Sequence, residues 1–391
     1  MLYGFLNLSV WGYIGAALVL THMTIASVTI FLHRHQAHHS LTLHPIASHL
    51  FRLWLWLTTG IVTREWVAVH RKHHAKCETA DDPHSPQIKG IWNVLFRGAG
   101  LYRAAKRDAG TLARFGKGTP DDWLERQVYG RLPYLGLSIM ASLDLLLFGV
   151  AGLVVFAVQM VWIPFWAAGV VNGLAHFWGY RNFETKDASH NLSPFGLLIG
   201  GEELHNNHHA YPQSARLSSK WWEVDLGWLY IRTLVLLRLA CVRRVAPKLV
   251  VARKKQQVDA DTLRAVLHGR QRIFTLYDRN VIRPTVRSER RTGAGTRCKV
   301  PRHVRKLMAR EDIELDRPAC ETLDSVLRQS PLLETVYRYK THLLELWTDP
   351  DRERTKRLKC LQDWCAEAER SGIKALEDFV RLLRSCTLQS G

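Results

Sequence analysis

The chain has 391 residues, with 54 Lys+Arg against 35 Asp+Glu, a net charge of +19 and 47% hydrophobic residues. It is too apolar to be disordered and long enough for more than one domain. Seven cysteines without a CxxC pair exclude a disulfide scaffold and a zinc ribbon, and they read as reduced, cytoplasm-facing thiols.

The charge is distributed unevenly. Residues 1–32 contain no Asp, Glu, Lys or Arg, and residues 132–180 contain only Asp144. The first block predicts a span over about 8–32, a helix of about 37 Å and so long enough to cross a bilayer. It has no charged leader and no small-residue cleavage site, which argues against a removable signal peptide. Residues 45–62 are also apolar but carry His49 and Arg52. Histidine clusters flank them at 33–39 and 70–74. If those clusters share one site, 45–62 cannot cross the membrane and lies in the interface as an amphipathic helix, with Trp54 and Trp56 at headgroup depth. The second apolar block predicts a helical hairpin, with spans at 133–158 and 162–180 and a tight turn near Gln159–Pro164. Asp144 within it suits a helix–helix hydrogen bond better than a proton relay.

Every lysine and arginine then falls on one side of three spans. The positive-inside rule makes that side the cytoplasm and leaves the N-terminus outside. Residues 221–246 predict an interfacial helix with a basic end. Residues 246–391 form a basic, mainly helical extension of unknown role, with helices expected at 257–275, 321–346 and 352–385. The expected fold class is mainly α: an integral-membrane helical bundle with interfacial helices and a cytosolic helical cap, its first domain covering 1–245.

The histidines carry the chemistry. Four motifs stand out: HRHQAH from His33 to His38, HRKHH from His70 to His74, NGLAH from Asn172 to His176, and HNNHH from His205 to His209. In a helix, positions i, i+3 and i+4 share a face, so His70, His73 and His74 can converge, as can His205, His208 and His209. His33 and His38 lie about 140° apart on an α-helix, so their box needs a loosened helix end. A single HxxHH at a membrane surface is more often a solvated face than a ligand set. Two of them, with HxxxxH and NxxxH each beside a predicted span, read as a metal site. Neutral imidazole suits iron, zinc and copper, and this many rings exceed the needs of one ion, which suggests two. No Glu-x-x-His pair of the soluble di-iron kind occurs at the clusters. His35, His39, His44, His49, His84 and His190 read as interfacial or supporting residues, His22 as a hydrogen-bonded core residue, and Cys77 as a bystander.

The order HxxxxH, HxxHH, NxxxH, HxxHH resembles the membrane fatty-acid desaturases of the stearoyl-CoA desaturase type. Flanking residues extend the likeness: Glu65-Trp66, Asp82-Pro83-His84, Gly179-Tyr180-Arg181 and Gly201-Glu202. It is most similar to bacterial acyl-CoA Δ9-desaturases, over roughly residues 5–245. The resemblance implies two iron ions held by His33, His38, His70, His73, His74, His176, His205, His208 and His209, with Asn172 acting through a water. It also implies O2 as co-substrate and a tunnel for a saturated long-chain acyl-CoA near the metals. Animal members carry a Trp where this chain has Gly169, so tunnel shape does not transfer.

The reaction implied is O2-dependent insertion of a cis double bond, Δ9 by resemblance, at a bacterial inner membrane with the site facing the cytoplasm. No flavin, haem or iron-sulfur motif occurs, so electrons come from a separate ferredoxin, rubredoxin or flavin reductase. The nearest rival is a His-box di-iron hydroxylase, since both reactions begin with the same hydrogen abstraction; a phospholipid-acyl desaturase is a further alternative. A histidine-lined transporter would put its histidines inside the spans. The basic tail has no nucleic-acid module, so membrane lipid is its expected contact and no nucleic acid is expected.

Overall fold

The computed structural model describes residues 4–252, 255–292, 300–301, 303–309, 317–348, 351 and 353–388. The chain divides into two compact units: Met1–Asn182 with Asp187–Ala246, and Phe183–Lys186 with Pro247–Gly391.

The first unit opens with α1, Val10–Ala37, which is capped by the Ser9 hydroxyl accepting from Gly12 N. From Val28 to Ala37 this helix widens into the π form. His39, at φ 51°, reverses the chain into strand β1, Leu41–Leu43. The helix α2, Pro45–Thr59, ends at Gly60, whose φ of 59° suits a residue without Cβ. Next come α3, Thr63–Lys76, α4, Ile91–Ala105, and α5, Ala109–Phe115. The apolar pair is α6, Pro133–Phe148, and α7, Ala151–Leu174, the latter π-helical from Pro164. A loop then leads through β2, Phe195–Gly196, to α8, His205–Ala210. Strand β3, Val224–Asp225, helix α9, Leu226–Leu236, and strand β4, Ala240–Val242, complete the unit. β1 pairs antiparallel with β4, Thr42 opposite Cys241, and β2 pairs parallel with β3.

Two helices are long and apolar enough to cross a membrane: α1, with mean hydropathy 1.8, and α7, with mean hydropathy 2.0. Both, with α6, present large apolar side chains outward, among them Trp11, Leu18, Leu143, Val154 and Val161. An exposed apolar belt of this kind suits lipid rather than water.

The hairpin turn falls at Gly149–Val150, about ten residues before the position expected from the sequence. Gly149 adopts φ 64° and ψ −147°, a conformation open to glycine. Gln159, read as a turn signal, is instead buried inside α7 and donates from Nε2 to Asp144 Oδ2 at 2.8 Å, so Asp144 makes the expected interhelical bond. Pro164 starts the π segment without breaking the helix. The predicted interfacial helices are also shorter than expected: 45–62 becomes Pro45–Thr59, and 221–246 contracts to α9 because its C-terminal part pairs with β1 as β4. Trp56 is buried, its Nε1 donating to Leu132 O at 2.9 Å, and Trp54 donates to Thr24 Oγ1 at 3.0 Å. Arg52 is buried in a pair with Asp122 and Glu125, which explains how a charge is tolerated in this apolar helix.

The second unit is helical around its own core. Its helices include Ala260–His268, Arg270–Tyr277, Arg283–Thr292, Arg317–Gln329, Pro331–Thr348, Arg354–Arg370 and Lys374–Ser385. Ile273, Phe274, Tyr277, Val336, Leu343 and Phe379 are among the residues that fill the core. An antiparallel pair, Leu249–Val251 with Cys386–Leu388, ties its ends together. The expected helix over 352–385 is broken at Ser371–Ile373 by Gly372, at φ 71°; residue 352 itself lies outside the described residues.

Candidate metal centre

Three helices and the turn after α7 deliver the histidines. In α1 the π turn closes with His38 N donating to His33 O at 3.1 Å, an i to i+5 bond. Residues five apart then stack, and the His33 and His38 rings come within 4.9 Å. Helix α3 presents His70, His73 and His74, and α8 presents His205, His208 and His209, all three buried. His176 follows the π segment of α7 and is fully buried.

The ring nitrogens converge. Nε2 of His33 lies 3.0 Å from Nε2 of His208, and Nε2 of His208 lies 2.9 Å from that of His74. Nε2 atoms of His38 and His70 are 2.8 Å apart, and those of His176 and His205 are 3.0 Å apart. One group, His33, His38, His70, His74 and His208, offers ligand atoms all within 4.8 Å of one another. A second group offers His73, Cys77, His176 and His209 on the same criterion, and His205 joins it through His176. Each of these pairs is within N–H···N hydrogen-bond distance, and together they gather the ring nitrogens of nine histidines into one place.

Carboxylates hold four rings from behind. Nδ1 of His33 meets Glu202 at 2.8 Å, Nδ1 of His73 meets Asp82 at 3.0 Å, Nδ1 of His176 meets Glu78 at 3.3 Å, and Nδ1 of His209 meets Asp187 at 2.9 Å. A ring that donates from Nδ1 presents an Nε2 lone pair, the arrangement that metal-ligating histidines adopt. Glu78 reaches its partner from a left-handed backbone, φ 60°, the kind of strain that persists where function needs it. Burial, reinforced by neighbouring imidazoles, holds His38, His70, His74, His205 and His208 well below the ordinary histidine range. Burial also lowers His209 to about 4. Burial opposes ionisation of Asp82, Asp187 and Glu202, yet the adjacent imidazoles keep all three below the carboxylate range. Burial thus favours the neutral ring at these six histidines, with carboxylates around the cluster, an arrangement that suits cations of borderline softness such as iron or zinc. Nε2 of His209 is buried without a hydrogen-bond partner among the described residues, a lone pair that a metal would satisfy.

A cavity of about 370 Å³ opens against the centre. Its apolar wall includes Val28, Ile163, Ala167 and Val171; His33, His70, His205 and Asn172 border it, and Arg103 and Lys106 also line it. The spacing-derived histidines all meet at the centre. Asn172 lines the cavity. His22 meets Tyr230 at 2.5 Å, as a hydrogen-bonded core residue should. Sequence reasoning gave no role to Glu78 or Asp187 and read Cys77 as a bystander. It also left Glu202 and Asp82 as flanking residues. Asp82 lies nine positions from His73, so proximity was a usable signal there; Glu78, 98 residues from His176, Asp187, 22 residues from His209, and Glu202, on a different segment from His33, offer none.

A family model described as fatty acid desaturase matches residues 8–258. The chain belongs to this family. The sn-1 stearoyl-lipid 9-desaturase of Synechocystis sp. is 33% identical over 249 residues, 62% of this chain and 76% of that protein. The enzyme of the same name from Anabaena variabilis is 33% identical over 243 residues, covering 61% and 86%. Delta-9 acyl-lipid desaturase 1 of Arabidopsis thaliana is 30% identical over 237 residues, covering 59% and 74%. As a fatty acid desaturase the chain is an oxidoreductase of lipid metabolism, and the relatives named here are lipid-linked desaturases. A second family model, described as transposase, matches residues 274–388, within the C-terminal unit.

Proposed function

We propose that this desaturase uses two iron ions and O2 to introduce a cis Δ9 double bond into a saturated long-chain acyl-CoA. The observation that carries the reading is the two converging groups of histidine nitrogens beside a largely apolar cavity. His33, His38, His70, His74 and His208 would hold one iron. His73, His176, His205 and His209 would hold the other, with Asn172 acting through a water. When bound, the irons supply the O2-derived oxidant that an unactivated methylene demands.

The protein's own residues do the positioning. Glu202, Asp82, Glu78 and Asp187 fix the orientation of the imidazoles they face. The apolar wall excludes water and holds the chain extended past the histidines. Arg103 and Lys106 offer positive charge to phosphates of the head group. A methylene displaced by about 1 Å would change which carbon reacts. A second reading, desaturation of lipid-linked acyl chains, is favoured by the names of the relatives.

Three spans are proposed, with α6 crossing beside α1 and α7, the N-terminus outside and the histidine cap in the cytoplasm of a bacterial inner membrane. Domain 1–245 would carry catalysis, and a separate ferredoxin, rubredoxin or flavin reductase would supply electrons. The test is the purified protein in lipid nanodiscs with reductant, donor and O2, offered stearoyl-CoA or a stearoyl phospholipid. Two irons per chain and oleoyl product from the CoA ester are expected. Product from the phospholipid alone would transfer the reading to the lipid-linked substrate. Hydroxylated product without alkene, or iron retained in a His205→Ala, His208→Ala double variant, would overturn it.

A further inference from the structure

Cys77 closes α3, four residues beyond His73 and on the same helical face. Its sulfur lies 3.9 Å from Nε2 of His73 and within 4.8 Å of the ligand nitrogens of His176 and His209. Two of these rings already use Nδ1 elsewhere, His73 on Asp82 and His209 on Asp187, so Nε2 is the atom each has left. Nε2 of His209 is buried and unpartnered among the described residues. Nitrogen and sulfur atoms bound to one ion, at about 2.1 and 2.3 Å from it, lie roughly 3–4 Å apart. The sulfur therefore stands at the separation expected of a ligand sharing an ion with His73. The backbone supports the arrangement: the left-handed turn at Glu78, immediately after Cys77, directs the Glu78 carboxylate to His176.

We propose that Cys77 supplies a sulfur ligand to the iron held by His73, His176, His205 and His209, an inference that rests on the iron reading above. On ligation the thiol gives its proton to solvent, an iron–sulfur bond forms, and no electron moves. The two irons then differ in kind. The ion among His33, His38, His70, His74 and His208 has an all-nitrogen neutral set. The other gains one anionic, soft ligand, which favours its ferric state and gives it a spectroscopic label.

The experiment uses the full chain, loaded with iron and oxidised in air. Iron per chain is measured together with the visible absorption spectrum and the iron-edge X-ray absorption. Expected are two irons per chain, a thiolate-to-iron charge-transfer band, and a sulfur scatterer at about 2.3 Å. The band should disappear in Cys77→Ser and Cys77→Ala with iron content unchanged, because the imidazoles remain. Cys320→Ser should keep the band. Two irons without a band or a sulfur scatterer would overturn the Cys77 assignment and leave the iron reading standing. A wild-type chain that takes up no iron would overturn both. The X-ray measurement needs only the wild-type protein, so misfolding of a variant does not blunt the test.

Discussion

Glu202 illustrates how one carboxylate sets the character of a ring. It meets Nδ1 of His33 at 2.8 Å and also accepts from the Thr29 hydroxyl, so its position is fixed from two sides. A carboxylate beside Nδ1 favours the tautomer that carries its proton on that nitrogen. Nε2 is then left as a lone pair facing His208. Asp82 treats His73 likewise, and its second oxygen accepts from Glu78 N at 2.8 Å. Removing such a partner leaves the ligand present but free to turn. Glu202→Gln and Asp82→Asn should each lower iron affinity about 10–100-fold, measured by competition with a chelator, while circular dichroism remains that of the wild type. Unchanged affinity in both variants would mean that the carboxylates only fill space. The Glu202–His33 pairing was not available from spacing, because it depends on a fold that brings distant segments together, whereas Asp82 lies only nine positions from His73. The HxxHH boxes, by contrast, were readable because the helix itself puts i, i+3 and i+4 on one face.

Helices reach the centre with their hydrogen-bond pattern altered. The π turns at the ends of α1 and α7, His38 N to His33 O and Ala175 N to Val170 O, at 3.1 and 3.2 Å, are what allow HxxxxH to act as a pair and bring His176 into the interior. The need for a loosened end at the first box could be read from the 140° offset; the hairpin could not be read as well. Gln159 and Pro164 look like breakers in isolation, and only the bond to Asp144 explains why Gln159 is stable inside an apolar helix. Helix α4 lies against the π segment of α7 backbone to backbone. A Cβ on Gly169 would come 2.4 Å from Leu95 O, and one on Gly98 would come 2.1 Å from Ala168 O. That contact explains why a bulky residue cannot stand at 169 here. Gly169→Ala should push the helices apart, destabilise the protein by about 1–3 kcal/mol and displace Asn172, four positions or fewer along the same helix. The expected result is a lower Tm in detergent with reduced desaturation. Gly100→Ala, where nothing lies within 4 Å, is the control and should match the wild type.

At the scale of the whole molecule, the +19 lies almost wholly outside the long apolar helices: α6 and α7 carry no lysine or arginine, and α1 carries only the buried Arg34. The long C-terminal unit has a core of its own and contains none of the boxes, yet it includes four residues from the middle of the chain, Phe183–Lys186. Phe183 is buried, the Arg272 guanidinium stands 5.7 Å over its ring, and Glu184 pairs with Arg305. The next two residues reach the histidine cluster: Asp187 holds Nδ1 of His209 at 2.9 Å, and Ala188 N donates at 2.7 Å to the Glu78 carboxylate that faces His176. Covalent continuity thus ties the packing of Phe183 to the orientation of two imidazoles. Phe183→Ala empties a large buried site, and the loosened loop should let Asp187 and Ala188 drift. Iron retained after dialysis against chelator should fall by about tenfold, the lower end for loss of an orienting partner, with the His73, His176, His205, His209 ion lost first. If the extension has no part in the centre, iron retention will equal that of the wild type even as the Tm of the C-terminal unit falls.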